Sequence, residues 1–192
     1  KSLFTADFLG AARRWDAAAG TVAKTYAAKM LTLSSRLQDI GGIRVMQLTD
    51  GDKTLLLAGT QPANGGNVQG IPTILAFNIE TGEQMKKHEL GVAGDVYVSD
   101  IQFHPAGFWL VSTCGNPGSG KLHFLRPQDE KPFLTQPMSN IHSLSLHPDG
   151  KRFAVATTNP GSNGNGRNLT KDGKYPANTS PIKIYEFPTP MA

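Results

Sequence analysis

One cysteine, Cys114, stands among 192 residues. No disulfide can form within the chain, and no cysteine-rich metal site exists. A thiol nucleophile needs a base and an electropositive setting, which the residues around Cys114 do not supply. Its place at the end of an apolar run fits a small buried residue. Long apolar runs are missing too: nothing approaches the roughly 18 residues that cross a membrane as a helix. The opening KSLFTADFLG has no continuous apolar core and no small-residue cleavage site, so it does not read as a signal peptide. The default expectation is a cytoplasmic location without a membrane span. Charge of one sign is not concentrated either. Lys and Arg number 19 against 15 Asp and Glu, for a net charge of +4, and the only adjacent basic pairs are Arg13-Arg14, Lys86-Lys87 and Lys151-Arg152. A nucleic-acid binder shows a clustered stripe interleaved with aromatics, so the composition weighs against one.

What the chain has is turn chemistry. Its 21 Gly and 13 Pro lean toward many short strands, and its length suits one sizeable core. Gly115 to Lys121, GNPGSGK, satisfies the G-x-x-x-x-G-K start of a phosphate-cradling loop. That loop needs a helix starting at the lysine, so that its amides face the phosphate, and a Ser or Thr next for magnesium. Leu122 follows instead. The segment LHFLRP after it is short, bounded by proline and without helical period. A hairpin connection is expected here.

Three segments share one layout: VMQLTDGDKTLLLAGT (Val45 to Thr60), DIQFHPAGFWLVSTCG (Asp100 to Gly115) and SLSLHPDGKRFAVATT (Ser143 to Thr158). In each, an alternating run leads through a four-residue turn into a mainly apolar run. The turns are Thr49-Asp50-Gly51-Asp52, His104-Pro105-Ala106-Gly107 and His147-Pro148-Asp149-Gly150. Proline presets one turn angle while Gly or Asp tolerates a positive one, so each can join antiparallel strands. The matched places of His104 and His147 give them a structural role in their hairpins. A third strand follows each hairpin, as Ile74 to Ile79, Leu122 to Pro127 and Ile182 to Phe187. Ala12 to Ala17, preceded by strand-like Leu3 to Phe8, has the same shape, which aligns Trp15-Asp16 with Phe77-Asn78, Leu125-Arg126 and Tyr185-Glu186. Turns ending at Gly20 and Gly82 lead to fourth strands in TVAKTYAA and EQMKKHEL, and KPFLTQ supplies a poorer one. Residues 17–38 are alanine-rich and favour helix by propensity. The turn at Gly20-Thr21 and the branched Val22 and Thr25 argue for strand over Val22 to Ala28 instead.

The shared position (Leu48, Phe103, Leu146) recurs at steps of about 55 and 43 residues, near the length of a propeller blade. With Trp15-Asp16 and its Gly20, the FNIETG turn and the two His-Pro-x-Gly turns, the chain resembles a WD-repeat-type β-propeller. The Gly-His pair that precedes the first strand in that family is absent. The resemblance implies an all-β fold with blades of four antiparallel strands. About four blades are expected, over residues 1–40, 41–94, 95–139 and 140–192, the first and last incomplete. It further implies the C-terminal portion of a propeller of about seven blades, with a missing N-terminal half as one partner.

In such a fold the loops between second and third strands gather on one face. Three of them, Gln61 to Pro72, Gly115 to Lys121 and Asn159 to Pro181, are rich in Asn, Gly and Pro. Long loops of this kind often carry function. Candidate partner-binding residues are Asn64, Asn67, Asn116, Ser119, Lys121, Asn163, Asn165, Arg167, Lys171 and Lys174. The expected function is a non-catalytic scaffold that binds a protein or peptide, without cofactor, metal site or catalytic residues. The alternative is a propeller enzyme resembling the lactonase group, with a channel site near Arg44, Asp95, Asp100 and His142.

Overall fold

The structure is a computed structural model in which residues 1–34, 39–64, 68–158, 172–174 and 180–188 are described. They form an all-β chain of antiparallel sheets, none of which closes on itself. The chain divides into two compact units, Lys1–Val98 and Ser99–Ala192.

The first unit opens with a three-stranded meander, β1 (Ser2–Ala6), β2 (Ala11–Asp16) and β3 (Thr21–Ala27). A single 3₁₀ turn (Lys29–Leu31) and the short pair β4 (Thr32–Leu33) and β5 (Ile40–Gly41) follow. Then comes a four-stranded meander: β6 (Ile43–Thr49), β7 (Thr54–Pro62), β8 (Gly70–Asn78) and β9 (Gln84–Glu89). The strand over Val22 to Ala28 is therefore real, as β3. Alanine's helical preference is worth tenths of a kcal/mol per residue, less than pairing with β2 and burial of Tyr26 provide. The apolar runs of β7 and β8 are buried on both faces, whereas outer β9 alternates exposed Lys and Glu with buried His88. Ala12, Tyr26, Leu55, Leu57, Leu75 and Phe77 make the core between the two meanders. Tyr26 donates its hydroxyl to the Ile79 carbonyl at 2.8 Å, and its burial pushes the phenol pKa up.

The unit boundary falls two residues into β10 (Tyr97–His104), which opens a second four-stranded meander with β11 (Phe108–Cys114), β12 (Lys121–Leu125) and β13 (Leu134–Pro137). A last meander has three strands, β14 (Ile141–Leu146), β15 (Arg152–Thr157) and β16 (Ile182–Glu186). Phe108, Leu110, Phe124, Leu144, Phe153, Val155 and Phe187 form the core of this unit.

The three hairpins read from the sequence are β6–β7, β10–β11 and β14–β15, and the third strands are β8, β12 and β16. Repetition reaches single atoms. Asp16 Oδ1 accepts the amides of Ala18 and Ala19, and Asn78 Oδ1 accepts those of Glu80 and Thr81. Gly20 and Gly82 then donate to the Asp16 and Asn78 carbonyls, each at 2.9 Å and with positive φ. The residue after the aromatic thus builds the turn itself, which is why Asp and Asn interchange there.

Several boundaries differ from expectation. Both ends of the loop read over Gln61 to Pro72 are strand, because β7 runs to Pro62 and pairs with β8 from Gly70. Strand β1 ends at Ala6, because the Asp7 carboxylate accepts the amides of Leu9 and Ala11 and turns the chain; Phe8 lies in that turn. The β6–β7 turn begins one residue later than read, with Asp50, Gly51 and Asp52 all at positive φ. The poor fourth strand starts only at Leu134, since Pro132 has no amide to offer the ladder.

Candidate functional site

The GNPGSGK segment is the connection between β11 and β12, and Lys121 opens a strand, paired to Thr113 and Pro137. Several of its amides and carbonyls are engaged. Gly118 donates to Asn140 Oδ1 at 2.8 Å, Ser119 to the Asn116 carbonyl at 2.8 Å, and Asn140 donates back to the Ser119 carbonyl at 2.8 Å. Ser139 Oγ donates to the Gly118 carbonyl, and Met138 donates to that of Gly120. A Cβ at Gly120 would stand 2.7 Å from the Met138 oxygen, so the close approach requires glycine. Asn140, buried and at φ 56°, holds the loop from the β13–β14 connection. This is a stapled hairpin loop, and a strand rather than a helix N-terminus follows it at the lysine.

Of the candidate residues, Asn116 is exposed at this loop, with Ser119 and Lys121 half-buried beside it. The structure brings these three together. Asn64 is exposed just beyond β7, in the other unit. Lys174 is exposed, 4.0 Å from the Asp172 carboxylate. Asn67, Asn163, Asn165, Arg167 and Lys171 lie outside the described residues.

A feature that loop composition did not reveal is a recurring β-bulge. Ile43 faces Gly59 while Val45 faces Ala58, so Arg44 is the extra residue in β6. Ile141 faces Thr157 while Ser143 faces Ala156, so His142 is the extra residue in β14. The two occupy the same repeat position, and both are exposed at the end of the sheet where the second-to-third strand loop emerges. Bulges re-aim side chains in this way beside sites. The guanidinium carbon of Arg44 lies 4.3 Å from the Tyr97 ring centroid and 5.6 Å from that of Phe8. His142 lies 3.7 Å from Cys114 Sγ through Nδ1 and 3.5 Å from Thr158 Oγ1 through Nε2. The signal for Phe8 was legible: a turn tip normally carries polar residues, and Phe8-Leu9 places two large apolar ones there.

The carboxylates of the enzyme alternative hold backbone. Asp95, buried, accepts the Val92 amide at 2.9 Å. Asp100 Oδ2 accepts the Leu144 amide and the Ser143 hydroxyl, and its Oδ1 accepts the Ile101 amide. Among the described residues no group of three or more His, Cys, Asp or Glu is placed to hold a metal ion, and no helix is long and apolar enough to cross a membrane. The chain matches no protein-family model and no curated protein.

Proposed function

We propose that the chain is a run of blades from a WD-repeat-like β-propeller and serves as a non-catalytic scaffold, taking a protein or peptide at the loop end of its sheets. The observation that carries the reading is the recurrence of one meander with one set of turn contacts, down to the paired bulges at Arg44 and His142. Face patterns support it. Phe77 points into the core toward Tyr26 of the preceding meander, 5.9 Å between ring centroids. Trp15, at the same repeat position, shares the outward face of its sheet with Leu3, which is 56% exposed. On the last meander Ile182 and Ile184 are 72% and 70% exposed, on the face away from Tyr185. Further blades from outside these residues, including the N-terminal part of the propeller, would cover both faces.

The engagement of Asp95 and Asp100 by backbone amides favours the scaffold over a channel hydrolase. The test is a peptide display library selected on this chain. Selected peptides are expected to lose binding to a variant with Asn64→Ala, Asn116→Ala and Lys121→Ala, and to keep it with Asp50→Ala and Lys53→Ala at the opposite end. Equal retention by both variants sinks the loop-end site. Calorimetric titration with calcium separates the alternative, because micromolar uptake would favour a channel enzyme.

A further inference from the structure

We infer that Phe8, Leu9, Arg44 and Tyr97 form a docking platform for an extended acidic peptide segment. An Asp or Glu carboxylate of the segment meets the Arg44 guanidinium, and a neighbouring apolar side chain rests on Phe8 and Leu9. The inference rests on the scaffold reading above and names the partner chemistry for its loop end.

All four residues lie in the first unit, at the end of its sheets that carries Asn64. The Ile43 amide donates to the Asp7 carbonyl, and a Cβ on Gly41 would touch Pro62 two residues before Asn64. Phe8 and Leu9 are 63% and 65% exposed, an unusual degree for adjacent large apolar residues. The bulge lifts Arg44 out of the ladder and over two aromatic rings. No carboxylate or carbonyl among the described residues accepts from its guanidinium, so its N–H donors are available for a partner. Arg and aromatic side chains are the types that dominate binding at protein interfaces.

The platform is also rigid before anything binds. The Asp7 carboxylate accepts the Leu9 and Ala11 amides at 3.0 and 2.9 Å and pairs with Arg13, fixing the turn that presents Phe8. Gly42, at φ 95°, lets that turn sit directly on the start of β6; a Cβ there would be 2.5 Å from Phe8 Cδ1. Side chains held this way lose little entropy on association. One free guanidinium suits one carboxylate. A phosphate backbone is held by several cations together, and here Arg13 is already paired with Asp7.

Three fluorescein-labelled nonapeptides test this on the full 192-residue chain by anisotropy. They share alternating Leu and Phe, with Asp/Glu, Asn/Gln or Lys between. The acidic probe is expected to bind about tenfold tighter than the amide probe, as for a charge-assisted contact. Arg44→Gln should abolish that preference without weakening the amide probe, and Phe8→Ser should weaken both. Both positions are solvent-facing, and unchanged circular dichroism melting verifies the fold. Equal affinity for acidic and amide probes, or an acidic preference that survives Arg44→Gln, overturns the inference. So does an Arg44-dependent oligo-dT that binds tighter than the acidic probe, which points to a nucleic acid. If acidic-probe binding falls with Asn64→Ala but ignores Arg44→Gln, the acidic platform is wrong and the loop-end scaffold stands. Absence of binding by any probe at about 1 mM overturns the platform, while the display selection decides the scaffold separately.

Discussion

The two His-Pro-x-Gly turns are one local structure in two settings. In both, the His Nδ1 accepts the amide two residues on, from Ala106 at 3.1 Å and Asp149 at 3.2 Å, and the glycine donates to the His carbonyl at 2.9 Å. Beyond that they part. His104 is buried, its ring stacked on Phe108 at 4.2 Å and edge-on to Phe187 at 4.6 Å, with Nε2 donating to the Gly150 carbonyl at 2.7 Å. His147 borders an open groove of about 320 Å³ lined by Leu146, Pro148, Arg152, Phe153 and Ile184. The first turn is held by the sheet beside it. The second is held by itself, through Asp149, whose carboxylate accepts the Lys151 amide at 2.8 Å and pairs with Arg152. Local sequence sets the turn, and the neighbour sets its burial.

The largest expected effect follows from that burial. His104→Ala leaves the Gly150 carbonyl without its donor and opens space between two aromatic rings, so we expect a loss of about 3 kcal/mol. His147→Ala removes a ring that touches mostly water and its own turn, and should cost about 0.5 kcal/mol. Urea unfolding of each variant reads the difference. Equal losses would mean that the ring matters only inside its turn, and the comparison would collapse.

A smaller effect should be the same at both turns. Gly107 and Gly150 have φ of 85° and 67°, and an added Cβ would meet nothing within 4 Å at the first and only Pro105 and His104, at 3.4 Å or more, at the second. Gly107→Ala and Gly150→Ala therefore carry backbone strain alone, about 1–2 kcal/mol each. A twofold disparity between them would show that the neighbour strains the turn as well as covering it.

Turn chemistry is also what made this chain legible. Pro-x-Gly and Asn-x-x-x-Gly patterns dictate backbone angles within a few residues, so hairpins, third strands and Gly20 and Gly82 could be read directly. Strand β3 could be read despite its alanines because Gly20-Thr21 located the turn before it. Burial was less accessible. Nothing in HPAG against HPDG says that one ring is enclosed by Phe187 and Gly150, because those contacts come from 40 and more residues away. Asn140 was missed for the same reason: its hold on Gly118 joins two connections through space. The bulges at Arg44 and His142 need the partner strand's register, which a single strand's sequence does not contain. The propeller itself remains our proposal.

The smallest effect is electrostatic and separates the turns by one residue, Ala106 against Asp149. Hydrogen bonding from the Lys151 amide, then His147 and Arg152, holds the Asp149 carboxyl below the usual carboxylate range. A carboxyl depressed in the folded state binds its proton more weakly there than in the unfolded chain. Its contribution is therefore present above the unfolded pKa near 3.8 and is lost as pH falls through the lower folded value. Asp149→Asn keeps an acceptor for the Lys151 amide and removes the charge. The variant should be slightly less stable than the parent at pH 7 and should converge with it toward pH 2–3. Ala106→Asp places the same carboxylate at the exposed tip of the turn whose histidine is buried, ahead of Gly107 and Phe108 rather than Lys151 and Arg152. The Phe108 amide is the counterpart of the Lys151 amide, but no arginine follows it, so the gain at pH 7 should be smaller. Thermal melts of the three chains across pH 2–7 measure this. If Ala106→Asp stabilises as much as Asp149→Asn destabilises, the turn amide alone depresses the carboxyl, and the Arg152 charge is incidental.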